Sequence, residues 1–230
     1  MGLFSTKGSE SDNELATNFY FPTSKNALII FARNPELGKC KTRLAKVIGN
    51  EAALEIYKYL LNHTAEISEK IKADKFVFYS DDIKKEDLWN KDIFRKKLQY
   101  GTDLGARMEN AFTELFQLNY EKVIIIGSDL LDLNTKHVDD AFQLLETNEL
   151  VIGPAKDGGY YLLGMKTLHL NVFKNKDGKD NEEWTIFFNE NFFRQIKSHV
   201  LDSIMFGYSL INWDEVVDGK LSGIKVIKRD

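Results

Sequence analysis

Two short, uninterrupted apolar runs constrain this chain more than any other feature. In Ala27-Leu28-Ile29-Ile30-Phe31-Ala32 and Val123-Ile124-Ile125-Ile126 no polar residue falls on either alternation, so both faces of each strand must be covered. That is the environment inside a mostly parallel sheet with helices above and below. The second run is β-branched throughout and belongs near the sheet centre. Each run stops at a polar turn, Arg33-Asn34-Pro35 in one case and Gly127-Ser128-Asp129 in the other.

The intervening segments alternate in type. From Glu51 to Ile71, Leu54, Tyr57, Leu61, Thr64, Ile67 and Ile71 recur at helical spacing, and Phe76-Val77-Phe78-Tyr79 comes next as a strand. A helix from Leu104 to Leu118 buries Met108, Ala111, Phe112 and Leu115. Another, capped by Asn134 or Thr135, runs to about Glu146 with Val138, Ala141, Phe142 and Leu145 inward. Leu150-Val151-Ile152 and Tyr160-Tyr161-Leu162-Leu163 flank a glycine-bearing loop. Asn171 to Glu183 reads as an exposed excursion, Trp184 to Val200 as a helix, and Leu210 to Asp214 as a last short strand. The alternation predicts a three-layer α/β/α domain with right-handed crossovers over residues 26–230, preceded by a flexible tail over 1–25.

Composition narrows the partners. With 230 residues, 43% hydrophobic and 12% aromatic, the chain can fill one sizeable core but would be cramped as two domains. A formal net charge of −4 argues against a nucleic-acid partner or a polybasic membrane surface, so any cationic site must be local. Cys40 is the only cysteine, which excludes an internal disulfide and a cysteine-rich zinc site and accords with a reducing compartment. No apolar stretch is long enough to span a bilayer, and a cytoplasmic location is expected. Gly2 and Thr6 meet a loose myristoylation pattern of the kind that arises by chance.

The local positive charge lies between Arg33 and Lys46, where Arg33, Lys39, Lys41, Arg43 and Lys46 are opposed only by Glu36. This loop leaves the first strand at its carboxyl end, the edge at which open α/β sheets bind ligands. Pro35 and Gly38 turn the chain, Arg43 offers a planar fork, and the lysines offer point charges to phosphate oxygens. The expected guest is a di- or triphosphate. Neither a Walker loop nor the dinucleotide fingerprint is present, and a solvated basic turn is the plainer alternative.

Asp129 is delivered to the same edge by the central strand. A hard divalent cation such as Mg2+ needs one or two protein carboxylates beside substrate phosphates and water, which makes Asp129 the leading ligand and Asp132 a weaker one. Two further polar clusters are Gln99-Tyr100-Gly101-Thr102-Asp103-Leu104-Gly105, where Asp103 can cap a helix, and Gly153-Pro154-Ala155-Lys156-Asp157-Gly158-Gly159-Tyr160. Asp157 and Tyr160 are candidates for a substrate pocket. His63, His137, His169 and His199 show no metal-ligand spacing.

The run Phe31-Ala32-Arg33-Asn34-Pro35-Glu36-Leu37-Gly38-Lys39-Cys40-Lys41-Thr42-Arg43-Leu44-Ala45 resembles the opening of the DUF2064 proteins, glycosyltransferase-like and radical-SAM/selenodomain-associated transferases. Gln99, Gly101, Asp103-Leu104-Gly105 and Arg107-Met108 match the same family, as do Ile126-Gly127-Ser128-Asp129 and Gly153-Pro154-Ala155 with Asp157-Gly158-Gly159-Tyr160. The resemblance implies a GT-A, nucleotide-diphospho-sugar transferase-like fold with a mixed, mostly parallel sheet and a divalent ion near Asp129. It also implies nucleotide contacts at Ala32, Arg33, Gly38, Lys39, Lys41, Arg43, Gln99, Gly101, Asp103, Gly105 and Ser128. A substrate pocket would involve Pro154, Gly158, Gly159, Tyr160 and Trp184. The basic loop resembles that of nucleotidyltransferases too, including the phospholactate guanylyltransferase type. Departures are Leu130-Leu131 where the family commonly has Cys-Pro, Thr185-Ile186 in place of Ser-Thr, and Asn212-Trp213-Asp214-Glu215, which keeps only Asp214 as a second metal ligand.

The expectation is a metal-dependent transferase using a nucleotide-diphospho-sugar, with Mg2+ or Mn2+ on Asp129, Asp157 as base and a small-molecule acceptor. The alternatives are nucleotidyl transfer from an NTP to a phosphorylated acceptor and a non-catalytic nucleotide-binding module. Oligomeric state is left open.

Overall fold

The computed structural model describes residues 22–154, 160–173 and 224–226. Asp157, Gly158, Gly159, Trp184 and Asp214 lie outside these, as do the expected helix from Trp184, the strand from Leu210 and most of the excursion before them. The strands are β1 (Asn26–Ala32), β2 (Asp74–Tyr79), β3 (Phe94–Leu98), β4 (Lys122–Gly127), β5 (Leu150–Pro154), β6 (Tyr160–Met165) and β7 (Ile224–Val226). The helices are α1 (Thr42–Ile48), α2 (Asn50–Glu69), α3 (Leu104–Gln117) and α4 (Thr135–Leu144), with a 3-10 turn at Leu170–Val172.

All seven strands form one sheet in the order β3-β2-β1-β4-β6-β5-β7. β6 pairs antiparallel with both β4 and β5, and every other pairing is parallel, so the sheet is mixed and mostly parallel as expected. The apolar runs split by parity, which is why they tolerate no polar residue. Leu28, Ile30 and Ala32 join Tyr57, Leu61 and Ala65 of α2 and Val138 and Ala141 of α4 on one face. Ala27, Ile29 and Phe31 join Met108, Ala111, Phe112 and Leu115 of α3 on the other. This gives the three layers.

Three elements depart from the sequence reading. β3 carries Arg95, Lys96 and Lys97 and shows no apolar pattern, yet it closes one edge of the sheet. Charge on an edge strand deters pairing with other chains, and here the aliphatic stems also pack. The Arg95 guanidinium and Lys97 ammonium lie 5.8 and 6.0 Å from the Phe76 ring centroid, and Lys96 is 2.6 Å from Asp87. The second half of the basic loop is α1, a helix that buries none of its residues and therefore lacks an amphipathic signature. Thr23 and Ser24, assigned to the tail, are held by Asp74, which accepts from both their main-chain N–H groups at 2.8 and 3.2 Å.

Candidate active site at the carboxyl edge of the sheet

In a parallel sheet, strand ends collect on one edge. Register pairs Phe31 with Gly127 and Ala32 with Tyr79, so the turns after β1, β2 and β4 begin side by side. The chain leaves β1 for β2 on one flank while β4 lies on the other. That reversal is the switch point at which open sheets leave a crevice for ligands.

The basic loop and the acidic turn meet at this edge. Lys41 Nζ lies 2.6 Å from Asp129 Oδ2, joining residues from the β1 and β4 turns. Lys41 has left-handed backbone angles, φ 48 and ψ 44, which are costly for a residue with a Cβ. Gly38, at φ 77, supplies the earlier left-handed turn without that cost. Arg33 donates to the Lys39 carbonyl at 3.2 Å, Lys39 pairs with Glu36 at 2.6 Å, and Arg43 is exposed on the first turn of α1. The bond to Glu36 raises the Lys39 pKa above its ordinary value.

Asn34 and Tyr57 hold this loop, and sequence reasoning assigned a site role to neither. Asn34 is 1% exposed. Its Nδ2 donates to the Asp82 carbonyl at 2.7 Å, while its Oδ1 accepts from the N–H groups of Asp81 and Asp82 at 3.1 and 3.3 Å. Its carbonyl accepts from Glu36 N–H and from the thiol of buried Cys40, so one side chain and its own peptide bind two turns together. The Tyr57 hydroxyl accepts from Arg33 N–H at 2.9 Å and lies 3.3 Å from Ser128 Oγ. Ser128 is therefore a buried brace between the two loops. Tyr57 lay on the apolar face of a helix and read only as core.

Burial pushes the Tyr57 phenol up to about 12, partly offset by its hydrogen bonds to Ser128 and Arg33. A folded-state pKa above the unfolded value of about 10 means that its stabilisation is complete below pH 10 and is lost as pH rises towards 12. Tyr57→Phe is expected to make the alkaline fall in urea midpoint shallower across that window and to cost about 1 kcal/mol at neutral pH. An unchanged alkaline slope would remove Tyr57 from this role.

The remaining predicted residues divide. Gln99 Nε2 donates to the carbonyls of Phe78 and Ala32 at 2.8 and 3.3 Å, tying the ends of β1 and β2 at the same edge. Asp103 is the N-cap of α3 and accepts from Ala106 N–H at 2.8 Å. Gly101, at φ 146, leaves no room for a Cβ, which would lie 2.7 Å from Arg107 N; a Cβ at Gly105 would lie 2.9 Å from the Phe173 carbonyl. These glycines are required by packing within the protein itself. Tyr160 directs its hydroxyl at Met108 Sδ, 3.4 Å away, and packs with the α3-side core. Pro154 ends β5 at the same sheet edge, and Asp132 is exposed further along the acidic turn. His137 forms a capping box with Asn134, and His63 contacts the Leu133 carbonyl at 2.8 Å, so both are structural.

Beside Arg33, a shallow depression is lined by Ala32, Asn34, Tyr79, Leu88 and Trp89 among others. Its outer wall is held by Asp87, which takes hydrogen bonds from Tyr79, Lys96 and Trp89 N–H. Among the described residues no group of three or more His, Cys, Asp or Glu side chains could cage a metal ion. A hard ion that shares its shell with substrate phosphate and water needs one or two carboxylates rather than a cage, and Asp129 is one half-exposed carboxylate at a strand end, with Lys41 on its Oδ2. No helix among the described residues is long and apolar enough to cross a membrane.

A mixed sheet with a loop-built site at the β1/β4 switch point defines a nucleotide-diphospho-sugar transferase-like fold. A crystal structure provisionally assigned as a nucleotide-diphospho-sugar transferase, from Desulfovibrio desulfuricans, has this architecture with a TM-score of 0.66 and 25% identity, covering 90% of this chain and 80% of that one. Residues 63–177, half of the chain, match the family described as "Uncharacterized protein conserved in bacteria (DUF2064)", and the chain belongs to that family. It is also similar to the 2-phospho-L-lactate guanylyltransferases of Methanocaldococcus fervens and Methanocaldococcus vulcanius. The first is 26% identical over 135 residues, 58% of this chain and 59% of the relative; the second is 29% identical over 149 residues, 62% and 63%. The chain thus spans about three fifths of the length of these curated relatives.

Proposed function

We propose that this protein is a metal-dependent transferase that binds the diphosphate of a nucleotide-sugar donor in the crevice between β1 and β4. The observation that carries this reading is the 2.6 Å contact between Lys41 and Asp129, which makes one site of a cationic loop and a carboxylate turn. The likeness to the Desulfovibrio protein supports a sugar donor, because it extends over 90% of the chain.

Arg33, Lys39, Lys41 and Arg43 would bind the phosphate oxygens, Arg43 with its planar fork and the lysines as point charges. When bound, Mg2+ or Mn2+ on the Asp129 carboxylate would supply further positive charge opposite the diphosphate. In the reaction an acceptor hydroxyl forms a bond to the anomeric carbon, and the bond from that carbon to the diphosphate oxygen breaks. The nucleoside diphosphate leaves with the electron pair, and the loop cations stabilise the charge that develops on it. The acceptor proton passes to a base, for which Asp157 is the candidate.

Nucleotidyl transfer is the second reading, favoured by the guanylyltransferase relatives. There a phosphorylated acceptor attacks the α-phosphorus of a triphosphate and pyrophosphate leaves. Calorimetry with nucleotide sugars, nucleoside diphosphates and triphosphates, each with and without Mn2+, separates the two. Metal-dependent binding of a nucleotide sugar is expected. Selective triphosphate binding with pyrophosphate release would transfer the assignment to the second reading, and no binding of any phosphorylated compound would overturn both.

A further inference from the structure

We propose that Lys41 and a divalent ion compete for the same oxygen of Asp129, so that the ion binds more tightly once phosphates draw Lys41 away. This rests on the reading of Asp129 as the metal-bearing carboxylate. It adds that one residue, Lys41, couples the binding of the metal to that of the phosphates.

Three observations converge on Lys41. Its ammonium is 2.6 Å from Asp129 Oδ2, the separation of direct charge-assisted contact, and a divalent ion on the same oxygen would be brought against a positive charge. The neighbouring loop cations are placed elsewhere, Lys39 on Glu36 and Arg33 on the Lys39 carbonyl. Finally, Lys41 and Asn119 are the only non-glycine residues with positive φ among the described residues, and lysine lacks the local side-chain bonding that lets asparagine accept that region. The left-handed backbone at Lys41 precedes α1 directly, where the chain turns into its first helix.

The pair is well suited to being exchanged. Its side chains are 28% and 47% exposed, so solvent screens the attraction, and a partly exposed ion pair holds less firmly than a buried one. A diphosphate presents more negative charge to Lys41 than one carboxylate does. Once Lys41 turns to phosphate, Asp129 is left with an exposed carboxylate beside an anionic ligand, the setting in which a hard cation is most favoured. By linkage, whatever nucleotide phosphates do for metal affinity, the metal does equally for theirs.

The test measures Mn2+ retained by the protein at dialysis equilibrium, alone and with inorganic pyrophosphate, for wild type, Lys41→Met, Lys41→Gly and Asp129→Ala. Lys41→Gly keeps the left-handed backbone accessible and so guards against misfolding of the methionine variant. Both Lys41 variants are expected to bind Mn2+ alone up to about fivefold more tightly than wild type. Pyrophosphate is expected to raise Mn2+ affinity strongly in wild type and much less in the variants. If wild type and both Lys41 variants bind Mn2+ alone equally, and Asp129→Ala abolishes that binding, the latch is overturned while the metal assignment stands. If Asp129→Ala binds Mn2+ as wild type does, or if no protein binds it under either condition, both fall.

Discussion

Asp129→Ala is expected to lower turnover by about 10³-fold while leaving the urea unfolding midpoint almost unchanged. The two halves of this expectation have different causes. Asp129 is about half exposed at the end of a strand, and its charged partner, Lys41, is partly exposed too. Removing such a pair costs at most about 1 kcal/mol of stability. In the proposed reaction, by contrast, charge develops on a leaving diphosphate, and loss of a group that organises the opposing positive charge acts on the transition state directly; single stabilising donors are worth about 10² to 10³ in rate. Steady-state kinetics on the donor identified by calorimetry, with Mn2+ varied, measures the first half, and equilibrium unfolding measures the second. Retained metal-dependent turnover would remove Asp129 from the site. A large drop in unfolding midpoint would reassign it as structural.

Asn34→Ala is expected to destabilise the protein by about 2–4 kcal/mol and to raise the donor KM more than it lowers kcat. The side chain is almost fully buried and pairs with three main-chain groups of Asp81 and Asp82. Alanine leaves those groups without their partner in a place where water reaches them poorly, at about 1–3 kcal/mol for each group that stays unsatisfied. Asn34 lies immediately after Arg33, and its own carbonyl holds Cys40 next to Lys41. Loosening it disperses the cations proposed to bind phosphate without removing any of them, which is a binding effect before it is a chemical one. Unfolding by urea and a KM-against-kcat comparison test both parts; a kcat effect alone would contradict the positioning role. Asn34→Asp is the useful companion. It keeps an acceptor for the Asp81 and Asp82 N–H groups but sets a second oxygen against the Asp82 carbonyl and a charge in a buried position, so it should recover little of the stability.

Legibility in the sequence depended on the kind of physics involved. β1, β2 and β4 were readable as uninterrupted apolar runs and α2, α3 and α4 because their burial is written as a period, and Met108, Ala111, Phe112 and Leu115 are buried as their spacing requires. β3 was not, because its sheet face is covered by lysine and arginine stems over Phe76, which a polarity pattern counts as exposed. α1 was not, because a helix that buries nothing has no apolar stripe to read. Gly101 and Gly105 were legible as glycines needing close approach, whereas it is backbone of the same chain that approaches them.

The sequence by itself determined that a cationic loop comes after the first strand and an acidic turn after the central one, since apolar runs mark the strands and charged residues mark the turns that end them. Strand order and register decided that these two turns are neighbours, because β1 pairs with β4 although two other strands and three helices lie between them along the chain. Tertiary structure alone also decided which cation meets the carboxylate. Of the five basic residues in the loop, Lys41, left-handed in its backbone and flanked by turns that Asn34, Tyr57 and Ser128 hold, is the one that reaches Asp129.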